Sequence, residues 1–219
     1  MLLLFDIDGT LLLKATAAHA AAVHEAVREV YGIHDLSAIR VEAAGRTDYE
    51  IARAICLQAG VTAERFDAGR EDFRIACVAA YARLCPADLS EFVAPGVTDV
   101  LETLAVRDDT HLALLTGNLE PIARLKLNRA GLGHYFEAHQ GGFGSDHEDR
   151  TELPAIARRR AGNYPRAKTI VIGDTPRDIA CARADGVRCI AVATGPFGAD
   201  DLAKADVVLR SAHELLDAL

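Results

Sequence analysis

"MLLLFDIDGTLLL", residues 1–13, joins an apolar run to two aspartates, Asp6 and Asp8, and the fold turns on how that junction is read. As an export leader the stretch lacks a basic start, and the two carboxylates divide its apolar segment. Residues 1–7 are too few for a helix and are followed by the turn signal Gly9-Thr10, so they are expected to form a buried strand, with Asp8 just past its carboxyl end. Strands disfavour aspartate, and a buried carboxylate is costly unless it is paired or bound to metal. Chemistry is therefore expected where this strand leaves the core.

Working outward, residues 15–31 and 48–85 are rich in Ala, Glu, Arg and Leu at helical spacing, broken by Gly32, Gly45 and Gly60. They imply an all-helical insertion over 15–90, joined by short hinges near 13–15 and 86–95. Beyond Pro95-Gly96 strand and helix alternate. Buried strands are expected at 111–116, 169–174, 188–194 and 206–210, and helices at 97–106, 119–131, 152–161, 176–185, 199–204 and 212–218. This is the pattern of an α/β core, a Rossmann-like doubly wound parallel sheet formed by 1–14 and 91–219, with helices on both faces. Right-handed crossovers bring the loops "FDIDGT" (5–10), "LLTGN" (114–118) and "VIGDTPRD" (171–178) to one sheet edge.

Composition narrows the partners. A net charge of −8 without an acidic tail argues against wrapping nucleic acid or docking on anionic lipid, so a phosphorylated ligand must meet locally gathered positive charge. No other run approaches the ~18 apolar residues of a membrane span. Five cysteines, odd in number and without a C-x-x-C pair, read as small core residues of a protein in a reducing cytoplasm.

Asp6 and Asp8 together, joined by Asp174 and Asp178 from "GDTPRD", give the hard oxygen donors that suit Mg²⁺. Asp178, four residues beyond Asp174, falls one turn into the following helix. Thr116 offers a hydroxyl, Gly117 permits close backbone approach, and Asn118 either faces an anion or simply caps the next helix. His139, His147, Glu148 and Asp149 match no standard zinc spacing, and "RRR" at 158–160 reads as a solvated helix face.

The strings "DIDGT", "LLTGN" and "VIGDTPRD", in this order and with a helical insertion between the first two, resemble the haloacid dehalogenase superfamily of hydrolases, particularly its phosphoglycolate-phosphatase-like members. The resemblance covers nearly the whole chain and implies a Mg²⁺-dependent phosphatase acting on a small phosphorylated metabolite. It makes Asp6 the nucleophile, Asp8 the general acid and base, and Asp6, Asp8 (through its carbonyl), Asp174 and Asp178 the metal site. It gives the phosphoryl oxygens to Thr116, Gly117 and Asn118. The Lys-Pro dipeptide of many relatives is missing, which leaves Arg150 in "SDHEDRTELP" (145–154) as the phosphoryl-stabilising cation; otherwise Arg150 is a surface partner of Glu148 or Asp149.

The insertion is then a mobile cap that closes over the crevice, with Arg46 and Thr47 of "AAGRTDYEI" (43–51) as substrate contacts and Asp48 as a helix cap. Lys14 is a further candidate contact. Proton delivery by Asp8 asks for a raised pKa, which Asp6 is expected to supply in part. A phosphomutase or a dehalogenase of the same fold is the enzymatic alternative, Asp8 speaking against the latter because a halide leaves without a proton. A regulatory or binding protein on this fold is the non-enzymatic one.

Overall fold

A computed structural model describes residues 1–219. Six parallel strands form one sheet: β1 (Leu2–Phe5), β2 (His111–Thr116), β3 (Gly142–Phe143), β4 (Thr169–Gly173), β5 (Arg188–Val192) and β6 (Val207–Leu209), in the order β3-β2-β1-β4-β5-β6. This is the doubly wound order, and the chain reverses its direction of travel across the sheet at β1, where a crevice opens between strand ends. β1 is central: Leu2–Phe5 pairs with His111–Leu114 on one side and Thr169–Ile172 on the other.

The apolar run of β1 follows from that position. Leu3 and Phe5 join one apolar cluster, while Leu2 and Leu4 join a second on the opposite face. With side chains alternating at period two and both faces covered, a central strand has no place for a polar residue until it leaves the sheet.

Four helices lie between β1 and the rest of the core: α1 (Ala17–Tyr31), α2 (Asp48–Gln58), α3 (Ala63–Ala68) and α4 (Arg70–Leu84). Five more complete the chain: α5 (Val97–Ala105), α6 (Glu120–Arg129), α7 (Leu153–Arg160), α8 (Pro176–Asp185) and α9 (Leu215–Ala218). Along α1 the buried residues His19, Ala22, Val23, Ala26 and Val27 recur at helical spacing and form one stripe. Its apolar members Ala22, Val23, Ala26 and Val27, with Phe66, Phe73 and Tyr81, belong to the same apolar cluster as Leu3, Phe5 and Leu12, so the insertion and one sheet face share a continuous core. Tyr31 stacks on Phe66 with ring centroids 5.5 Å apart and donates its hydroxyl hydrogen to the Phe66 carbonyl at 3.0 Å.

The structure corrects several element boundaries. The first strand stops at Phe5 rather than residue 7, because Asp6 already enters the crevice. Helix 48–85 is split again at Gly69, where a Cβ would press on the ring of Tyr31. Residues 199–204 form turns instead of a helix. Asp201 accepts a hydrogen bond from the Gly198 N–H at 3.0 Å, and this local side-chain bond stabilises the turn. The two-residue β3 was not expected, since "GGFG" carries no strand pattern. All five cysteines are buried and free, and no helix is long and apolar enough to cross a membrane.

Phe73 of α4 is fully buried in this shared cluster, its ring centroid 6.1 Å from that of Tyr49. Phe73→Ala is expected to lower stability by about 3–5 kcal/mol, read as a shift of the urea midpoint. An unshifted midpoint would contradict this packing.

Candidate active site

Three of the four carboxylates expected at the sheet edge meet there: Asp6, Asp174 and Asp178. Asp6 follows β1 directly, and its N–H still donates to the Ile172 carbonyl at 2.9 Å, which extends the β1–β4 ladder and fixes the backbone beneath the side chain. Asp174 follows β4, and Asp178 sits in the first turn of α8. Thr175 caps that helix in a capping box: the Asp178 Oδ2 accepts from the Thr175 N–H at 3.0 Å and from its hydroxyl at 2.7 Å. One oxygen from each of Asp6, Asp174 and Asp178 falls within a span of 4.8 Å.

Arg150 enters this cluster from the 3-10 turn Arg150–Glu152. Its Nη2 lies 3.2 Å from the Asp6 Oδ1 and donates to the Asp178 carboxylate, while its Nη1 donates to the Gly45 carbonyl at 3.0 Å. Arg150 is only 6 % exposed, so the surface pairing with Glu148 or Asp149 does not occur. Three carboxylates against one guanidinium leave excess negative charge. Burial, opposed by Arg150 and reinforced by Asp178 and Asp8, pushes Asp6 up to about 7. Burial together with the neighbouring Asp6 and Asp178 pushes Asp174 up to about 8.

The donor set fits a hard divalent cation. Asp174 accepts from the Thr10 hydroxyl at 3.1 Å through Oδ1, but its buried Oδ2 has no hydrogen-bond partner. A Cβ on Gly9 or on Gly195 would collide with the Asp174 carboxylate, so two glycines keep the backbone close around this oxygen. Unpaired carboxylate oxygen from separate strand ends is the ligand chemistry of Mg²⁺ or Ca²⁺. Asp178 reaches the cluster as the third carboxylate able to offer an oxygen to a cation, and its oxygens also accept from Thr175 and Arg150.

Asp8 behaves differently from the expectation. Its carboxylate is not part of the three-carboxylate cluster and turns toward α6, where the Lys126 Nζ donates to both oxygens at 2.7 and 2.6 Å and the Asn118 Nδ2 donates at 3.0 Å. Burial alone would raise its pKa, but Lys126, His19 and these hydrogen bonds outweigh it and hold Asp8 below the usual carboxylate range. The expected raised pKa thus belongs to Asp6, two residues earlier.

Lys126 and His19 escaped the sequence reading, as did the link from His19 to Asp48. Lys126 is fully buried, and its Nζ lies 3.1 Å from His19 Nδ1; His19 Nε2 in turn lies 3.1 Å from Asp48 Oδ2. The chain Asp48–His19–Lys126–Asp8 crosses from insertion to core. A signal was present: Lys126 shares the buried stripe of α6 with Ile122, Ala123 and Leu127, a position where an unpartnered lysine would not be tolerated.

The loop "LLTGN" is placed as expected at the end of β2, with altered details. The Thr116 hydroxyl accepts from the Asn118 N–H at 3.3 Å. Leu119, not Asn118, is the N-cap residue of α6, so Asn118 is free to reach Asp8, and its buried Oδ1 has no partner. A Cβ on Gly117 would strike the Arg46 carbonyl, and the Gly117 carbonyl accepts from the Asp48 N–H at 2.9 Å. Gly117 therefore admits the backbone of the insertion.

Thr47 does not face a substrate. It is fully buried and caps α2, its hydroxyl accepting from the Glu50 N–H at 3.1 Å and donating to the Glu148 carbonyl at 2.7 Å. Asp48, expected as the cap, is the first helical residue, and its carboxylate accepts from the Leu119 N–H at 2.8 Å. Arg46 pairs with Glu50 at 2.9 Å and keeps a buried Nε without a partner. Lys14 is exposed on a left-handed turn with φ 59°.

A model of haloacid dehalogenase-like hydrolases matches residues 3–183, and a HAD-hydrolase-like model matches 150–218. The chain is 27 % identical over 200 residues to "Phosphoglycolate phosphatase" of Pseudomonas savastanoi pv. phaseolicola, covering 89 % of this chain and 70 % of that protein. It is 27 % identical over 221 residues to "Probable phosphatase IndB" of Dickeya dadantii, covering 99 % and 92 %. A β-phosphoglucomutase structure from Clostridium difficile shares the fold, with a TM-score of 0.67 at 16 % identity over 97 % of this chain and 92 % of that one.

Crowding of the carboxylates has a measurable sign. Asp174 rises from its ordinary 3.8 to about 8 in the folded protein, so without metal its ionisation removes stability as pH climbs from about 4 through about 8. Asp174→Asn is expected to raise the thermal midpoint of metal-free protein at pH 8, at about 2–4 °C per kcal/mol relieved. A divalent cation should raise the wild-type midpoint and leave the variant's unmoved. Equal stabilisation of both by the cation would contradict this placement of the site.

Proposed function

Because this chain belongs to the haloacid dehalogenase-like hydrolase family, we propose that it is a Mg²⁺-dependent phosphomonoesterase that cleaves a small phosphorylated metabolite through an aspartyl-phosphate on Asp6. The observation that carries this reading is the approach of the Arg150 guanidinium to Asp6, 3.2 Å, within a buried cluster of three carboxylates. A buried arginine beside a nucleophilic carboxylate is suited to a transferring phosphoryl group, whose equatorial oxygens carry the charge.

In this reaction an Asp6 oxygen attacks phosphorus and the ester oxygen departs with the electron pair of the P–O bond. Water then attacks the same phosphorus, releasing phosphate and restoring the Asp6 carboxylate. Asp6 and Asp174, with the Asp8 carbonyl, would hold Mg²⁺, which when bound would neutralise charge on the phosphoryl oxygens. Thr116 and Asn118, at the end of β2, would hold those oxygens by hydroxyl and amide donors. Asp8 in its protonated form donates that proton to the leaving oxygen, and the carboxylate so formed takes a proton from the attacking water. Its pairing with Lys126 favours the ionised form, which is the form that accepts a proton from water.

The substrate class follows from the relatives that carry the name phosphoglycolate phosphatase, with a small phosphorylated acid or sugar as the first compounds to try. The helical insertion acts as the cap. Its loop 43–48 lies against Gly117 and Arg150 and keeps bulk water from the phosphoryl site. For the intact chain, hydrolysis of p-nitrophenyl phosphate with Mg²⁺ is expected, with loss on chelation. Asp6→Asn should cost at least about 1,000-fold in kcat. Turnover that survives chelation, or an active Asp6→Asn protein, would defeat the mechanism.

A further inference from the structure

The short segment before Arg150 is tied to the insertion at every turn. The Glu148 carboxylate accepts from Arg53 of α2 through Nε at 2.5 Å and Nη2 at 2.8 Å, and Arg70 of α4 stands 3.9 Å away. The Glu148 carbonyl accepts from the Thr47 hydroxyl at 2.7 Å, and Arg150 itself donates to the Gly45 carbonyl. Gly45, Thr47, Arg53 and Arg70 all belong to the insertion, whereas Glu148 and Arg150 belong to the core.

Two features make these ties decisive for where Arg150 sits. First, His147–Thr151 line a cleft of about 520 Å³, so the segment has solvent rather than packed side chains along one side. Second, Arg53 is held before it meets Glu148: its guanidinium stacks on the Phe66 ring at 4.6 Å from the centroid and pairs with Asp67 at 2.5 Å. A planar fork already fixed in orientation, and meeting a carboxylate with two bonds, places that carboxylate far better than a mobile lysine would. The pair is also mostly shielded, with the Arg53 and Glu148 side chains 24 % and 21 % exposed, so it escapes much of the screening that makes surface pairs weak.

We propose that Glu148 is a positioning residue for Arg150: Arg53 and Thr47 of the insertion grip Glu148, and this grip sets the reach of the guanidinium to Asp6. The phosphoryl-stabilising cation is then complete only while the insertion is seated on the core. The catalytic part of this inference rests on the proposed phosphatase reading, and the tethering part does not.

The test uses the full chain with Mg²⁺ and p-nitrophenyl phosphate. Glu148→Ala and Arg53→Met should each lower kcat by about 10- to 100-fold, the range for displacing a catalytic group by an ångström or less, with a smaller change in KM. Arg53→Lys should recover part of the loss. In an Arg150→Met background, Glu148→Ala should add no further loss, because the group it positions is gone. Amide hydrogen exchange supplies a readout independent of activity, since peptides over 145–151 should exchange faster in Arg53→Met than in wild type. Unchanged kcat in the single variants, losses that multiply with Arg150→Met, or equal exchange over 145–151 would each overturn the proposal. A wild-type protein without phosphatase activity would instead count against the phosphatase reading, while the exchange comparison still decides the tethering.

Discussion

The site depends on one arginine being shared by two carboxylates that arrive from different elements, one after a strand and one in a helix. Arg150 bridges Asp6, at the end of β1, and Asp178, in the first turn of α8 behind β4, and so binds the two sides of the crevice together. Removing one partner from such a buried set leaves an uncompensated charge, which typically costs more than the pair contributes. Much of the local sequence serves this arrangement. The Thr175 capping box aims Asp178, Gly9 and Gly195 give room for Asp174, and the apolar alternation of β1 fixes where Asp6 emerges. Even with Arg150 in place the cluster keeps excess negative charge, and the unpartnered Asp174 Oδ2 marks where a cation would balance it.

Two aspartates separated by one residue acquire opposite acid–base character from what faces them. Asp6 looks into the crevice, where burial and like charge disfavour ionisation; Asp8 looks toward α6, where Lys126 favours it. The fold achieves this by letting Asp6 finish the β-ladder while Asp8 begins the turn that follows. A division of this kind suits a reaction that needs one carboxylate at phosphorus and another in contact with a mobile proton. It also links the two parts of the chain, because Lys126 touches His19, and His19 touches Asp48.

The sheet was legible because its strands are short apolar runs bounded by polar loops, and those loops are where Asp6, Thr116, Asn118, Asp174 and Asp178 reside. Arg150 was legible only through the family pattern, since its own neighbourhood, "DHEDRTE", reads as a solvated loop. The sequence reading put the helix cap at Asp48 where the structure has it at Thr47, because either residue type can cap a helix and the choice depends on the docked partner, here the Glu148 carbonyl and the Leu119 N–H. Lys126 and His19 were hidden for a similar reason: helical spacing puts them on buried stripes, but only tertiary packing reveals that each stripe's polar member meets the other. The strand β3 is two residues long and owes its pairing entirely to β2.

The central claim is that Asp6, rather than Asp8, takes the phosphoryl group. The most direct measurement is acid quenching of the enzyme during turnover of a radiolabelled phosphate ester, followed by mass spectrometry of the amino-terminal peptide. The account predicts a phosphorylated Asp6 and an unmodified Asp8. Label on Asp8, or turnover that never labels the protein, would contradict it.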